Sequence, residues 1–303
     1  MGQLAISIDL EGRDAAAVED ACFAAGALSV VLTDRRDDAI LEPRPGEIRL
    51  WPSTRLQAIF PADCASPAAL VELARAVGCR LEDFLVEYLA DRPWEREWLK
   101  DFAPMRFGEQ LWICPSHTTI DDPAAIVVTL DPGLAFGTGT HPTTRLCLEF
   151  LDEAARGIHG GGAGGYIVDY GCGSGVLAIA ALALDHDAHA RVHDIDPQAL
   201  IATRDNAVVN GVESRIEFFA NGAALAQACK DEGARLVLAN ILSGPLCELA
   251  PRLGRLLAPG ATLVLAGLLA EQADEVIAAY APEVALSRWR ELEGWVCLAG
   301  TRR

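Results

Sequence analysis

The sequence predicts an α/β chain in two parts, a doubly wound sheet in the C-terminal two thirds and a small α+β domain before it. Three observations carry that reading. Residues 166–175, YIVDYGCGSG, pass from an apolar strand into alternating glycines and then into the helix-forming run VLAIAAL. Strand, glycine turn and helix are the opening unit of a nucleotide-binding sheet, because glycine lets a ligand approach the backbone without meeting a Cβ. Roughly twenty residues on, where such sheets set a carboxylate on ribose hydroxyls, HDIDP (193–197) closes a second strand-like run. A carboxylate can accept two hydrogen bonds from a cis-diol, which a lysine cannot match. Finally LVLANIL (236–242) is an apolar strand that turns polar at Asn240, as suits the fourth strand of such a sheet.

The elements follow in order. Residues 4–10 alternate apolar and polar as a strand does, 14–25 are alanine-rich with Val18, Ala21, Cys22 and Ala25 on one helical face, and 28–33 form a second strand. A Pro/Gly-punctuated loop precedes a strand at 55–60, and Ser66-Pro67 opens a helix carrying Leu70, Leu73, Ala74 and Val77. Residues 81–89 suit a fourth strand and also suit a helix. The order β-α-β-β-α-β predicts a ferredoxin-like domain over 1–90, with no catalytic constellation and a role in recognition or in stability. Residues 91–103 form a linker helix whose Trp94 and Trp98, at i and i+4, dock on a domain or act as a hinge. The main domain spans 104–303. It begins with a strand pair at 107–114 and 125–130 and the segment DPGLAFGTGTHPTT (131–144). Pro142 then starts a helix through Leu146, Leu148, Phe150 and Leu151. Thr143 and Thr144 fall in its first turn, where free N–H groups and hydroxyls either cap the helix or face a ligand. Helices at 197–209, 243–257 and 270–280 alternate with strands at 215–219, 261–266, 284–290 and 295–300, giving a seven-stranded sheet.

Composition narrows the function classes. The 303 residues are 51% hydrophobic and carry a net charge of −18. An acidic surface repels phosphate backbones and disfavours a direct nucleic-acid substrate; it suits a basic protein partner, or solubility alone. Nine dispersed cysteines without a CxxC pair read as reduced thiols in a cytoplasmic protein. No apolar run approaches a membrane span, and the N-terminus lacks the basic start and apolar stretch of a signal peptide. His186, His189 and His193, with Asp185 and Asp187, straddle a loop and a strand and do not make a metal site; no GxSxG elbow or Walker loop is present.

The GxGxG spacing, with Asp169 two places before the first glycine, resembles motif I of S-adenosyl-L-methionine-dependent methyltransferases. LDPGLAFGTGTHPTT, VDYGCGSGVLAIAAL, DIDPQA and ANILSGPL, in that order, are similar to the ribosomal-protein-L-eleven methyltransferase family. The match runs through 91–303, more weakly through LEPRPGEIRLW in the N-terminal domain. It implies a Rossmann-like methyltransferase domain with an antiparallel last strand, S-adenosyl-L-methionine as cofactor, and Thr144, Gly171, Asp194 and Asn240 at cofactor-binding positions, joined by Phe136 and Gly173. The segment DHDAHARVHDID is longer and more polar than usual, which leaves Asp196 as an alternative to the favoured Asp194. The implied substrate is a basic ribosomal protein of the large subunit, methylated on lysine and N-terminal amines by a monomer with no membrane partner. The same fold also serves methyltransferases of nucleic acids, small molecules and other proteins. Those acting on planar amines or amides carry (D/N)PPY where this chain has Asn240-Ile241-Leu242, and the missing clamp fits a tetrahedral alkyl amine. Asn240 is a possible acceptor near that amine; no general base is assigned, with His141 a candidate.

Overall fold

The computed structural model describes residues 2–36, 50–61, 67–89, 103–130, 139–156 and 165–303. The chain divides into two compact units, Met1–Trp94 and Glu95–Arg303. The connector carrying Trp94 and Trp98 lies outside the described residues.

The first unit is built from strands β1 (Gln3–Asp9), β2 (Ser29–Asp34), β3 (Thr54–Pro61) and β4 (Leu85–Leu89) and helices α1 (Ala15–Ala24) and α2 (Pro67–Val77). The strands lie antiparallel in the order β2-β3-β1-β4. Alternate residues Ile6, Ile8, Leu56 and Phe60 pack with Val18, Cys22, Leu73 and Val77 of the two helices, as the two-residue period of a half-covered sheet requires. Residues 81–89 are helical for one turn only. Asp83 accepts the Arg80 backbone N–H at 2.9 Å, closing a short 3-10 turn (Leu81–Asp83), and the chain then extends into β4.

The second unit opens with β5 (Met105–Phe107), β6 (Leu111–Cys114) and β7 (Ile126–Thr129), a three-stranded sheet in which β5 and β6 are antiparallel and β6 and β7 parallel. The strand expected at 107–114 is thus broken by a turn at Gly108 (φ 68°). That turn is fixed from helix α3 (Pro142–Ala155), whose fully buried Asp152 accepts the N–H groups of Glu109 (2.9 Å), Gln110 (3.1 Å) and Leu111 (3.1 Å). A Cβ at position 108 would stand 2.2 Å from Asp152 Oδ2, so the carboxylate also requires the glycine.

The main sheet comprises β8 (Gly165–Tyr170), β9 (Ala188–His193), β10 (Ile216–Phe219), β11 (Ala234–Asn240), β12 (Leu257–Leu269), β13 (Val284–Leu292) and β14 (Trp295–Arg302), in the order β10-β9-β8-β11-β12-β14-β13. The first five run parallel, and β14 pairs antiparallel with both β12 and β13. Helices α4 (Val176–Leu184), α5 (Pro197–Val209), α6 (Gly222–Ala228), α7 (Ser243–Leu256) and α8 (Ala273–Tyr280) connect them. The apolar strands bury both faces: Ile167, Leu236, Leu238 and Val264 join the core under α3 and α4, while Val168, Val237, Leu263 and Leu265 join the core under α7 and α8. Strand order reverses between β8 and β11, which opens a crevice at their C-terminal ends.

Replacing Asp152 by Ala takes the acceptor from three N–H groups, that of Leu111 buried and those of Glu109 and Gln110 partly so. Urea unfolding of the full chain is expected to show a loss of about 3 kcal/mol; a loss below about 1 kcal/mol would mean the turn finds other partners.

Candidate active site

The crevice at the reversal point holds a cavity of about 840 Å³, lined by residues from the ends of β8, β9, β10 and β11 and from Thr143 and Trp295. A smaller cavity, about 290 Å³ beside Asp185 and Arg235, lies at the opposite ends of the strands, away from the glycine turn. The size of the first falls in the range of small-molecule sites, roughly 300–1,000 Å³.

Its floor is the turn between β8 and α4. Gly171, Gly173 and Gly175 all have left-handed backbones (φ 81°, 54° and 79°), which side chains with a Cβ resist. At Gly171 a Cβ would also come within 2.5 Å of Ile241 Cγ2. The N–H groups of this turn face the neighbouring strand. Gly171 and Cys172 both donate to the His193 carbonyl (2.7 and 3.1 Å), and Gly173 donates to Asp194 Oδ2 (3.0 Å). Gly175 N–H closes the turn on the Cys172 carbonyl at 2.7 Å.

Asp194 and Asp196 part company here. Asp194 lines the cavity, its Oδ2 on Gly173 and its Oδ1 on the Asp196 N–H at 2.9 Å. Asp196 is the N-cap of α5 and accepts the Gln198 N–H at 2.9 Å. Beside Asp194 stands Ile195, 90% exposed at the cavity rim, and across from it Leu242, 51% exposed.

Asn240, at the end of β11, donates through Nδ2 to Thr144 Oγ1 at 3.2 Å and so ties the fourth strand to the first turn of α3. Thr144 is buried behind this contact, and its neighbour Thr143 lines the cavity. His141 is the N-cap of α3: its Nδ1 accepts the Thr143 N–H at 3.3 Å, and its ring meets Trp295 edge-on at 4.8 Å. Burial holds the imidazole below its usual range, against a smaller upward pull from Glu293. The same Nδ1 lies 2.7 Å from Thr143 Oγ1, where it donates or accepts according to the ring's tautomer. Phe136 lies outside the described residues.

Strand reasoning missed Tyr170, His193, Asn221, Arg252 and Trp295, all in the cavity wall. Tyr170 and His193 pack edge to face at 4.6 Å, and Arg252 donates to the Tyr170 hydroxyl at 3.3 Å. His193 Nδ1 meets the Phe219 carbonyl at 2.8 Å. His189 and His193 sit four residues apart on an extended strand, about 13 Å, too far to share a metal. Tyr170, His193 and Asn221 end or follow strands, a signal the sequence carried; Arg252 and Trp295 arrive from a helix and a hairpin without one.

Asp169, one residue before the end of β8, is fully buried. Its Oδ2 accepts the Ala178 N–H at 3.1 Å, and its Oδ1 meets no donor among the described residues. Burial pushes its carboxyl up to about 7, opposed by the Ala178 N–H and reinforced by the charge of Asp194. A carboxyl titrating higher folded than its unfolded value of 3.8 keeps its proton longer in the fold. Its contribution to stability is therefore intact at low pH, declines as pH rises above about 4, and is fully lost above about 7. Asp169→Asn is expected to remove that decline. Urea midpoints measured between these two limits, compared with the unaltered chain, check it, and an unchanged pH slope would count against the assignment.

A family model described as ribosomal protein L11 methyltransferase matches residues 3–303. A protein of that name from Pseudomonas aeruginosa strain LESB58 is 46% identical, covering 100% of this chain and 99% of its own length. Another, from Azotobacter vinelandii, is 46% identical with 100% of both chains covered. The crystal structure of the ribosomal protein L11 methylase from Lactobacillus delbrueckii subsp. bulgaricus superposes with a TM-score of 0.57 at 26% identity, over 67% of this chain and 100% of that one. A Rossmann-like sheet with its glycine turn, and full-length identity of this order, lead to one conclusion: the chain belongs to the ribosomal protein L11 methyltransferase family.

Proposed function

We propose that this methyltransferase uses the cavity at the β8–α4 turn to bind S-adenosyl-L-methionine, and that it methylates lysine side-chain and N-terminal amines of ribosomal protein L11. S-adenosyl-L-methionine is the methyl donor of the enzyme; when bound it supplies a methyl group already activated by a sulfonium. The observation that supports its placement is the disposition of the glycine turn. The N–H groups of Gly171, Cys172, Gly173 and Gly175 are engaged by His193, Asp194 and Cys172. A pyrophosphate needs free N–H donors at this place. Here it would instead meet the Asp194 carboxylate. A donor without phosphate, bearing a diol and a cation, suits what is present.

The residues fit that group in other respects. Asp194 offers remaining lone pairs for two hydroxyls, its orientation fixed by Gly173 and Asp196. Ile195 and Leu242 leave apolar surface at the rim that a flat heterocycle would cover. Gly171 and Gly173 form the floor, Asn240 one wall with Thr144 buried behind it, and Phe136 completes the set by family resemblance. Asn240 is then the group nearest an incoming amine. The amine must arrive neutral: a terminal amine near ~8 does so readily, whereas a lysine near ~10.4 needs a desolvating pocket. No general base is assigned.

The first unit has the strand order of a ferredoxin-like domain and, among its described residues, no cluster of catalytic type, and we assign it, over residues 1–90, to recognition of the substrate. A charge of −18 favours a basic protein over RNA. Among the described residues no helix is long and apolar enough to cross a membrane. A cytoplasmic monomer is the expected form.

Two measurements bear on this. With labelled donor and ribosomal protein L11, the enzyme should place label on lysine and terminal amines; label confined to RNA, or none, would reject the reading. Asp194→Ala should weaken S-adenosyl-L-homocysteine binding by roughly 1.5–3 kcal/mol, the worth of charge-assisted hydrogen bonds. Affinity that survives this change unaltered would move the diol contact elsewhere.

A further inference from the structure

Helix α5 carries Thr203 and Asn206 and ends at its C-cap Asn210, at spacings of three and four, so the three side chains share one face. Each reaches backbone outside the helix. Thr203, fully buried, donates from Oγ1 to the Gly173 carbonyl at 3.0 Å. Asn206 Nδ2 donates to the Ser174 carbonyl at 2.8 Å. Asn210 pairs both ways with Thr129 at the end of β7, its Oδ1 accepting the N–H at 2.8 Å and its Nδ2 donating to the carbonyl at 2.7 Å. The Thr203 methyl also occupies the space beside Gly175, 2.5 Å from where a Cβ on that glycine would lie.

The glycine turn is therefore gripped from two sides. His193 and Asp194, at the end of β9, take the N–H groups of Gly171, Cys172 and Gly173, and α5 takes the carbonyls of Gly173 and Ser174. A run of left-handed glycines has more freedom to lose than any other backbone, so its folded shape depends on such partners. None of the three α5 side chains lines the cavity.

We propose that Thr203 and Asn206 are positioning residues for the methyl donor. They turn the Gly173 and Ser174 carbonyls away from the cavity and hold the floor in the shape the donor meets. Asn210 fixes the same helix to β7. This rests on the assignment of the cavity to S-adenosyl-L-methionine.

The test is calorimetric titration of S-adenosyl-L-homocysteine into the full chain, at a temperature where circular dichroism shows every variant folded. Thr203→Val and Asn206→Ala should each raise Kd roughly three- to tenfold, as loss of one hydrogen bond would. KM for the donor should rise in parallel, with kcat at saturating donor within about twofold. Thr203→Ser, which keeps the hydroxyl, should restore binding to within about twofold of the unaltered chain. Asn206→Asp, which loses the donor but keeps the shape, replaces Asn206→Ala if that variant does not fold. A lower Tm with unchanged Kd would make these residues structural only and overturn the proposal, as would a fall in kcat at constant Kd. If the unaltered chain itself fails to bind, the cofactor assignment is what falls, and this proposal with it.

Discussion

The site depends on a backbone clasp between two neighbouring strands. Three consecutive N–H groups after β8, those of Gly171, Cys172 and Gly173, are accepted by His193 and Asp194 at the end of β9. The pairing of β8 with β9 brings these groups within reach, with Tyr170 in register with His193. Once the donors are engaged, the turn offers a ligand its bare Cα faces and a carboxylate. That combination departs from the anion-binding turns built on the same strand–glycine–helix plan. The difference lies in which way the N–H groups point, which is a property of the sheet.

Such a turn is unfavourable in itself. It sets three glycines in the left-handed region and keeps Asp169 buried with one oxygen that meets no donor among the described residues. It also holds that carboxyl near the charge of Asp194. The surrounding architecture offsets these terms. Both faces of the parallel strands are buried, and α4, apolar on every side, runs from the turn into the core under α3. Local strain at a functional site persists where the surroundings over-determine it. Here sheet pairing on one side and α5 on the other do so.

The same logic accounts for Asn240 and Thr144. They are 96 residues apart, and their contact joins the end of β11 to the first turn of α3. Trp295 reaches the cavity from the β13–β14 hairpin and packs on His141. The wall opposite the glycine turn is thus assembled from three distant stretches, and its shape follows from β14 running antiparallel beside β12.

The sequence by itself determined which segments are strands and helices in the main sheet, because strands buried on both faces read as continuous apolar runs and glycine in alternation marks a turn that no other residue can make. It also marked Gly171, Asp194 and Asn240, which stand at or just beyond strand ends where polarity returns. It did not mark α6, whose seven residues GAALAQA carry no amphipathic stripe, and it merged β5 with β6, because the turn between them is set by Asp152 more than forty residues away. Only the tertiary structure separates the surroundings of Asp194 from those of Asp196. Both are acidic and both follow β9, but one faces Gly173 across the sheet while the other caps the next helix, and a hydrogen-bond partner on a neighbouring strand leaves no trace in local sequence.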